Sequence, residues 1–311
     1  MPHEHNLPSL YHFPTLYEGD CFYDILARYH RESVHLTSRA TSQELFGKNP
    51  DLRPTIVLPY RAQLINVWLG SESNILPSVL RDRHSAWQYL QLSSEFTESN
   101  LTPVIRAEAR PGRRKQGRMY AELIGSLNCL RYCPACVIQD IMKWKEPFWH
   151  QVHQLYGVQY CPIHHQRLQN SPVRTDKRLA KYITAEDVFM ADAPLNVCKL
   201  LIEDPSSDQY YRPFLALSKT IDWLLTHGLE LGNADQRIQT YAQAAGYDCD
   251  RALPGNKLVE LMTSIGGESF LAVLWPEGKC DETLNRVLQG AFSALSPLCH
   301  ALIVLALNLT P

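Results

Sequence analysis

Apolar side chains at Phe22, Ile25, Leu26 and Tyr29 recur at the spacing of one helical face, and Asp20 just ahead is an expected N-cap. A second helix is expected from Pro59, which suits a first helical turn, through Tyr60, Leu64, Val67 and Trp68 to a stop at Gly70. The stretch "ILPSVLRDRHSAWQYLQL" continues the same habit, and several short helices joined by polar turns admit a helix-turn-helix. Toward the C-terminus, Ile238, Tyr241, Ala242 and Ala245 form one stripe ended by Gly246. Leu258, Leu261, Met262 and Ile265 form another, with Asn256 as expected cap and Gly266–Gly267 as stop. "RLQNSPVRTDKRLAKY" between these regions reads as a polar link. "ALIVLALNL" at 301–309 is apolar on every side and reads as a buried helix. It stands two residues from the end, so either a partner covers it or the natural chain continues. No apolar run reaches the roughly 18 residues that span a bilayer.

Composition changes this picture little, but charge does. An apolar content of 45% excludes global disorder. The net charge of −2 conceals an acidic first hundred residues (−3), a basic middle over 101–182 (+9) and an acidic remainder (−8). A basic segment in a near-neutral chain points to one anionic contact face. Its densest part is "RAEARPGRRKQGRMY", a loop in which Arg110, Arg113, Arg114, Lys115 and Arg118 are candidate phosphate contacts. The nine cysteines are an odd number and mostly scattered, which fits buried thiols in a reducing cytoplasm better than a disulfide framework.

The candidate chemistry lies in "RYCPACVIQDIMKWKEPFWHQVHQLYGVQYCPIHHQRL". Cys133 and Cys136 form one knuckle, and Cys161 and His164 form a second with the same two-residue gap. Such a gap lets one turn aim two side chains at one ion, and thiolate-rich ligation selects zinc. His164 repeats the first knuckle's spacing; His165, His153 and His150 are the alternatives for the fourth ligand. A catalytic zinc keeps an open position, whereas four good ligands close the site, so the expected role is structural. "HRESVH" lacks metalloprotease spacing, and the proline follows the first cysteine where the deaminase signature places it ahead. Trp144, Phe148, Trp149 and Tyr156 are expected to supply the module's small core, with base stacking as the competing use. The expected fold is mostly α: helical bundles with helix-turn-helix units around a small zinc-ribbon or zinc-finger module. Its expected parts are an N-terminal helical domain (1–128), the zinc module (129–170) and a C-terminal helical domain (171–311).

With the Cys-Pro-x-Cys, the Trp, the His-Gln-Leu before Gly-Val and the Cys-Pro-x-His all present, this segment resembles the TniQ/TnsD family of transposon target-selection proteins. "FPTLYEGDCFYDILARYH" resembles that family's opening, and "ELFG" followed by "IVLP" fits the same region. "KLVELMTSIGGESFLAVL" and "SPLCHALIVLAL" resemble TnsD-type C-terminal segments. The resemblance implies a non-enzymatic adaptor in a bacterial cytoplasm, with one structural Zn²⁺ on Cys133, Cys136, Cys161 and His164. Its implied partners are the AAA+ regulator TnsC and either target DNA or a Cascade-type CRISPR complex; a homodimer is compatible, a membrane is not expected. The short chain favours the RNA-guided adaptor. A truncated TnsD that reads DNA directly, or a zinc-containing helix-turn-helix transcriptional regulator, are the alternatives.

Overall fold

The computed structural model describes residues 13–46, 83–93, 127–175, 181–189, 208–248, 253–275, 279–288 and 295–310. The expected helix at 59–70 lies outside them, as does the basic stretch holding Arg110, Arg113, Arg114, Lys115 and Arg118. The described residues are mostly helical, with one two-stranded sheet.

In chain order, α1 (Phe22–Glu32) and α2 (Ser38–Phe46) lead to a single turn, α3 (Trp87–Leu90). Strand β1 (Cys129–Tyr132) then runs into α4 (Pro134–Trp144), followed by a 3-10 turn at Val152–Gln154 and strand β2 (Gln169–Arg174). Helices α5 (Ala185–Phe189), α6 (Tyr211–His227), α7 (Ala234–Ala244), α8 (Gly255–Ser264), α9 (Gly267–Leu274), α10 (Lys279–Leu288) and α11 (Pro297–Ala306) complete the described chain.

Helix α1 departs from its expected form in two ways. Its N-cap is Cys21, not Asp20, and no side chain caps it. Asp20 is fully buried and accepts from the Arg28 guanidinium and, at 3.2 Å, from the Tyr17 amide. Asp24 and Arg28 are buried as well, with Arg28 Nε donating to Asp24 Oδ2 at 2.7 Å across one helical turn. The second Asp24 oxygen accepts from the Trp149 amide at 3.0 Å. Two backbone bonds run beside it, Cys21 N to Trp149 O at 2.9 Å and Gln151 N to Gly19 O at 2.8 Å. The α1 start is thereby bonded to the segment that follows α4.

The polar link is in part a strand. β2 pairs antiparallel with β1, setting Cys129 opposite Arg174, Arg131 opposite Asn170 and Tyr132 opposite Gln169. Ser171 and Val173 are buried while Asn170, Pro172 and Arg174 are exposed, a period of two carried by only one large apolar side chain.

The C-terminal helices α6, α8 and α11 pack together, α11 touching both of the others. The apolar C-terminal segment is therefore covered by this chain's own helices over Ala301 to Val304, while Leu305, Leu307 and Leu309 are half-buried. Residues Pro297 to Val304 are all buried, with Ser296 accepting from the Cys299 amide as N-cap. The expected cap Asn256 instead lies inside α8, whose N-cap is Pro254. Among the described residues no helix is long and apolar enough to cross a membrane.

Replacing Arg28 with Leu strands two buried carboxylates, so it should cost about 3–5 kcal/mol above pH 7, read from the denaturant midpoint. A cost below 1 kcal/mol would mean that the aspartates find other partners. A second expectation concerns His300 on α11, which is buried and bonded to the Tyr241 hydroxyl at 3.2 Å. Burial holds it down to about 3, whereas an unfolded histidine protonates near pH 6.5. The unfolded chain thus binds the extra proton first, and stability should fall as pH drops below about 6.5, by up to about 1.4 kcal/mol per unit. His300→Leu should flatten that slope between pH 6.5 and 4.5 in urea titrations; an unchanged slope would assign the acid sensitivity elsewhere.

Candidate metal centre

The first knuckle is the junction of a strand and a helix. Cys133 follows β1 in extended conformation and serves as N-cap of α4, Pro134 takes the first helical turn, and Cys136 follows within it. The second knuckle is a hairpin. Cys161 N donates to Gln166 O at 2.8 Å, His165 N to Cys161 O at 2.9 Å, and Leu168 N to Gln159 O at 2.9 Å. His165 itself takes a left-handed backbone (φ 59°), which closes this tight turn.

These two turns bring four ligand atoms together. His164 Nδ1 lies 3.7 Å from Cys133 Sγ, 3.3 Å from Cys136 Sγ and 3.7 Å from Cys161 Sγ; Cys136 Sγ and Cys161 Sγ are 3.6 Å apart. A tetrahedral zinc with ordinary bond lengths requires S···S edges of about 3.8 Å and S···N edges of about 3.6 Å. The donor set fits that ion. The three cysteines are buried and His164 is half-buried. The His164 amide donates to Cys161 Sγ at 3.4 Å, a contact that suits a thiolate. Hydrogen bonds with Cys136 and Cys161 hold the Cys133 thiol below the ordinary thiol range, and metal binding by such a set releases the ligand protons.

Of the four histidines considered for the last position, His164 alone joins the three sulfurs in one set of atoms lying within 4.8 Å of one another. His153 is buried nearby with Nε2 3.9 Å from Cys136 Sγ, and His150 gives its Nε2 to Asp140 at 2.9 Å.

The module's aromatics are mostly internal. Trp149 and Phe148 are buried, Tyr156 is half-buried and donates its hydroxyl to Leu274 O, and Trp144 is 38% exposed. Trp144 sits beside Tyr17 with ring centroids 5.0 Å apart.

With this geometry in hand, comparison with known proteins gives two findings. The TniQ family model matches residues 12–168, from the start of the described chain to the end of the second knuckle hairpin. The chain belongs to the TniQ family. It is also similar to the transposon Tn7 transposition protein TnsD of Escherichia coli, 23% identical over 153 residues. That alignment covers 49% of this chain and 30% of TnsD, so the chain spans about a third of its relative's length.

The segments that resemble the TniQ family have identifiable physical tasks here. In the Leu-Ala-Arg of α1, Arg28 holds Asp20 and Asp24. In His-Gln-Leu, Gln154 clamps β1: its Oε1 accepts from Arg131 N, and its Nε2 donates to Arg131 O, both at 2.8 Å. Leu155 is fully buried. In Gly-Val, Gly157 has φ +90°, and a Cβ there would meet Leu298 of α11 at 2.8 Å and Ile221 of α6 at 3.4 Å. Gly157 is where the C-terminal helices rest on the metal module. Arg131, which no chemical motif flagged, is buried with its guanidinium donating to Val158 O at 2.6 Å and Leu155 O at 2.8 Å, and burial lowers it to about 10.

A bound structural zinc contributes on the order of 10 kcal/mol, comparable with a domain's whole net stability. Purified protein should hold one zinc per chain by elemental analysis. Cys161→Ser should lose the metal together with the near-UV dichroism of the buried aromatics, and His164→Ala should weaken binding where His165→Ala does not. A folded, metal-free Cys161→Ser protein would remove the structural role.

Proposed function

We propose that this chain is a non-enzymatic target-selection adaptor of a Tn7-like transposon, joining a recognised target to the AAA+ regulator TnsC. The TniQ match over residues 12–168 carries this reading, and the similarity to a Tn7 transposition protein supports it. The candidate metal centre agrees with a scaffold: four protein donors would complete a tetrahedron around one zinc and would leave no place for a reacting water. The target is presented by a Cascade-type RNA-guided complex. Helix-turn-helix contacts to nucleic acid belong to this proposal as well.

A second reading, direct DNA recognition in the manner of a TnsD-like protein, is favoured by the +9 charge of residues 101–182. One experiment separates the two. The zinc-loaded chain is tested for capture of purified TnsC and, separately, for binding to duplex DNA across a salt series. The adaptor reading expects TnsC capture that survives Arg113→Gln, Arg114→Gln and Lys115→Gln together. Direct recognition expects the triple variant to lose DNA affinity and to flatten the salt slope by about 0.9 per lost phosphate contact. No TnsC capture, with or without target, would overturn the adaptor assignment.

A further inference from the structure

The metal centre has a neighbour that its four ligands do not account for. His153 is 1% exposed, and its Nε2 lies 3.9 Å from Cys136 Sγ. Cys136 Sγ is itself 3.6 Å from Cys161 Sγ, so the imidazole stands at the Cys136 corner of the ligand set. It does not belong to the four-atom set, and its Nδ1 has no hydrogen-bond partner.

We propose that His153 is a positioning residue of this centre, donating its Nε2–H to the Cys136 thiolate. The proposal rests on the metal assignment above. Three thiolates and a neutral imidazole around a divalent zinc leave one net negative charge in a buried place, which is costly without donors. The His164 amide serves Cys161, and His153 serves Cys136. Thiolates offer only lone pairs, so the imidazole proton belongs on Nε2 and the unpartnered Nδ1 carries a lone pair. A buried acceptor without a donor is tolerated better than an orphaned N–H. The ring is held for this task. It lies in the 3-10 turn at Val152–Gln154, which Gln154 pins to the β1 backbone, and it packs 4.9 Å from the His150 ring. His150, Cys136 and His153 also form a second group of potential ligand atoms within 4.8 Å, but His150 Nε2 is engaged by Asp140.

The test uses full-length zinc-loaded protein and the variants His153→Leu and His153→Gln. Chelator competition should show His153→Leu binding one zinc about 10-fold or more weakly. Its cobalt-substituted form should keep the d–d bands of an unchanged ligand set while the sulfur-to-cobalt charge-transfer band moves to lower energy. His153→Gln, which keeps an N–H donor, should recover part of both. Unchanged affinity and charge-transfer energy in His153→Leu would overturn the proposal, as would d–d bands showing a lost ligand, or two zinc ions per wild-type chain. Should His153→Leu fail to fold, wild-type protein loaded with cadmium-113 decides the matter by proton–cadmium correlation. A cross-peak to the His153 Nε2 proton supports the hydrogen bond; correlation only to carbon-bound ring protons, or none, overturns it. Wild-type protein that binds no metal would instead remove the centre itself, a result distinct from each of these.

Discussion

A buried guanidinium between two buried carboxylates fixes where everything else sits. Arg28 reaches Asp20 and Asp24 at once, and the Tyr17 ring covers it with its centroid 4.5 Å from the guanidinium carbon. Burying three charges is favourable only when every lone pair and proton has a partner. That requirement recruits the Trp149 amide, which donates to the remaining Asp24 oxygen. The network consequently cannot close inside α1. It closes only when the chain after α4 lies alongside, and the residues from Gly19 to Cys21 add backbone bonds to Trp149 and Gln151 in the same place. Burial and the neighbouring Asp20 charge still push Asp24 up to about 6 despite the guanidinium, a sign of how dry the site is.

The metal module is therefore a central block with something bolted to each side. Arg28 and its aspartates secure the N-terminal helix on one face. On the other, the missing side chain of Gly157 lets α6 and α11 approach the turn between the knuckles. Asp222 of α6 is raised to about 6 by burial and by the Cys161 sulfur, which places that helix within electrostatic reach of the centre. Loss of the knuckles would thus remove a support shared by both flanks, although α6 also packs on α3 and α11, and α1 on α2.

Much of this was legible in the sequence where one residue type has one use. Paired Cys-x-x-Cys and Cys-x-x-His spacing leaves little freedom, and the structure assembles the four atoms from it. The apolar stripes of α1, α7 and α8 likewise describe buried or half-buried faces. Asp20 misled because a carboxylate ahead of a helix caps it in most settings, and only the third dimension reveals the guanidinium that outbids the amides. Asp24 and Arg28, four residues apart, look like an exposed helical pair for the same reason. β2 was hidden because its alternation runs on Ser171 and Val173, and Ser171 reads as polar. Arg131 and Gln154 act through backbone carbonyls and amides, which leave no trace in side-chain pattern.

The point at which the family match stops has a physical sense. It ends at Leu168, one residue before β2, although β1 needs β2 as its partner. Up to Leu168 the structure depends on particular side chains: Arg28, the aspartates, the four metal-set residues, Gln154 and Gly157. From β2 onward the connection to the module adds main-chain ladder bonds and apolar contact to a few side-chain bonds, such as Tyr160 to Asp208 at 2.8 Å and Trp149 Nε1 to Ile183 O at 3.2 Å. Ladder bonds are indifferent to side-chain identity, and apolar faces accept many residues of similar volume. Similarity can therefore fade there while the architecture continues. The C-terminal helices rest on the same platform where Gly157 lacks a side chain and where the Tyr156 hydroxyl donates to Leu274 O.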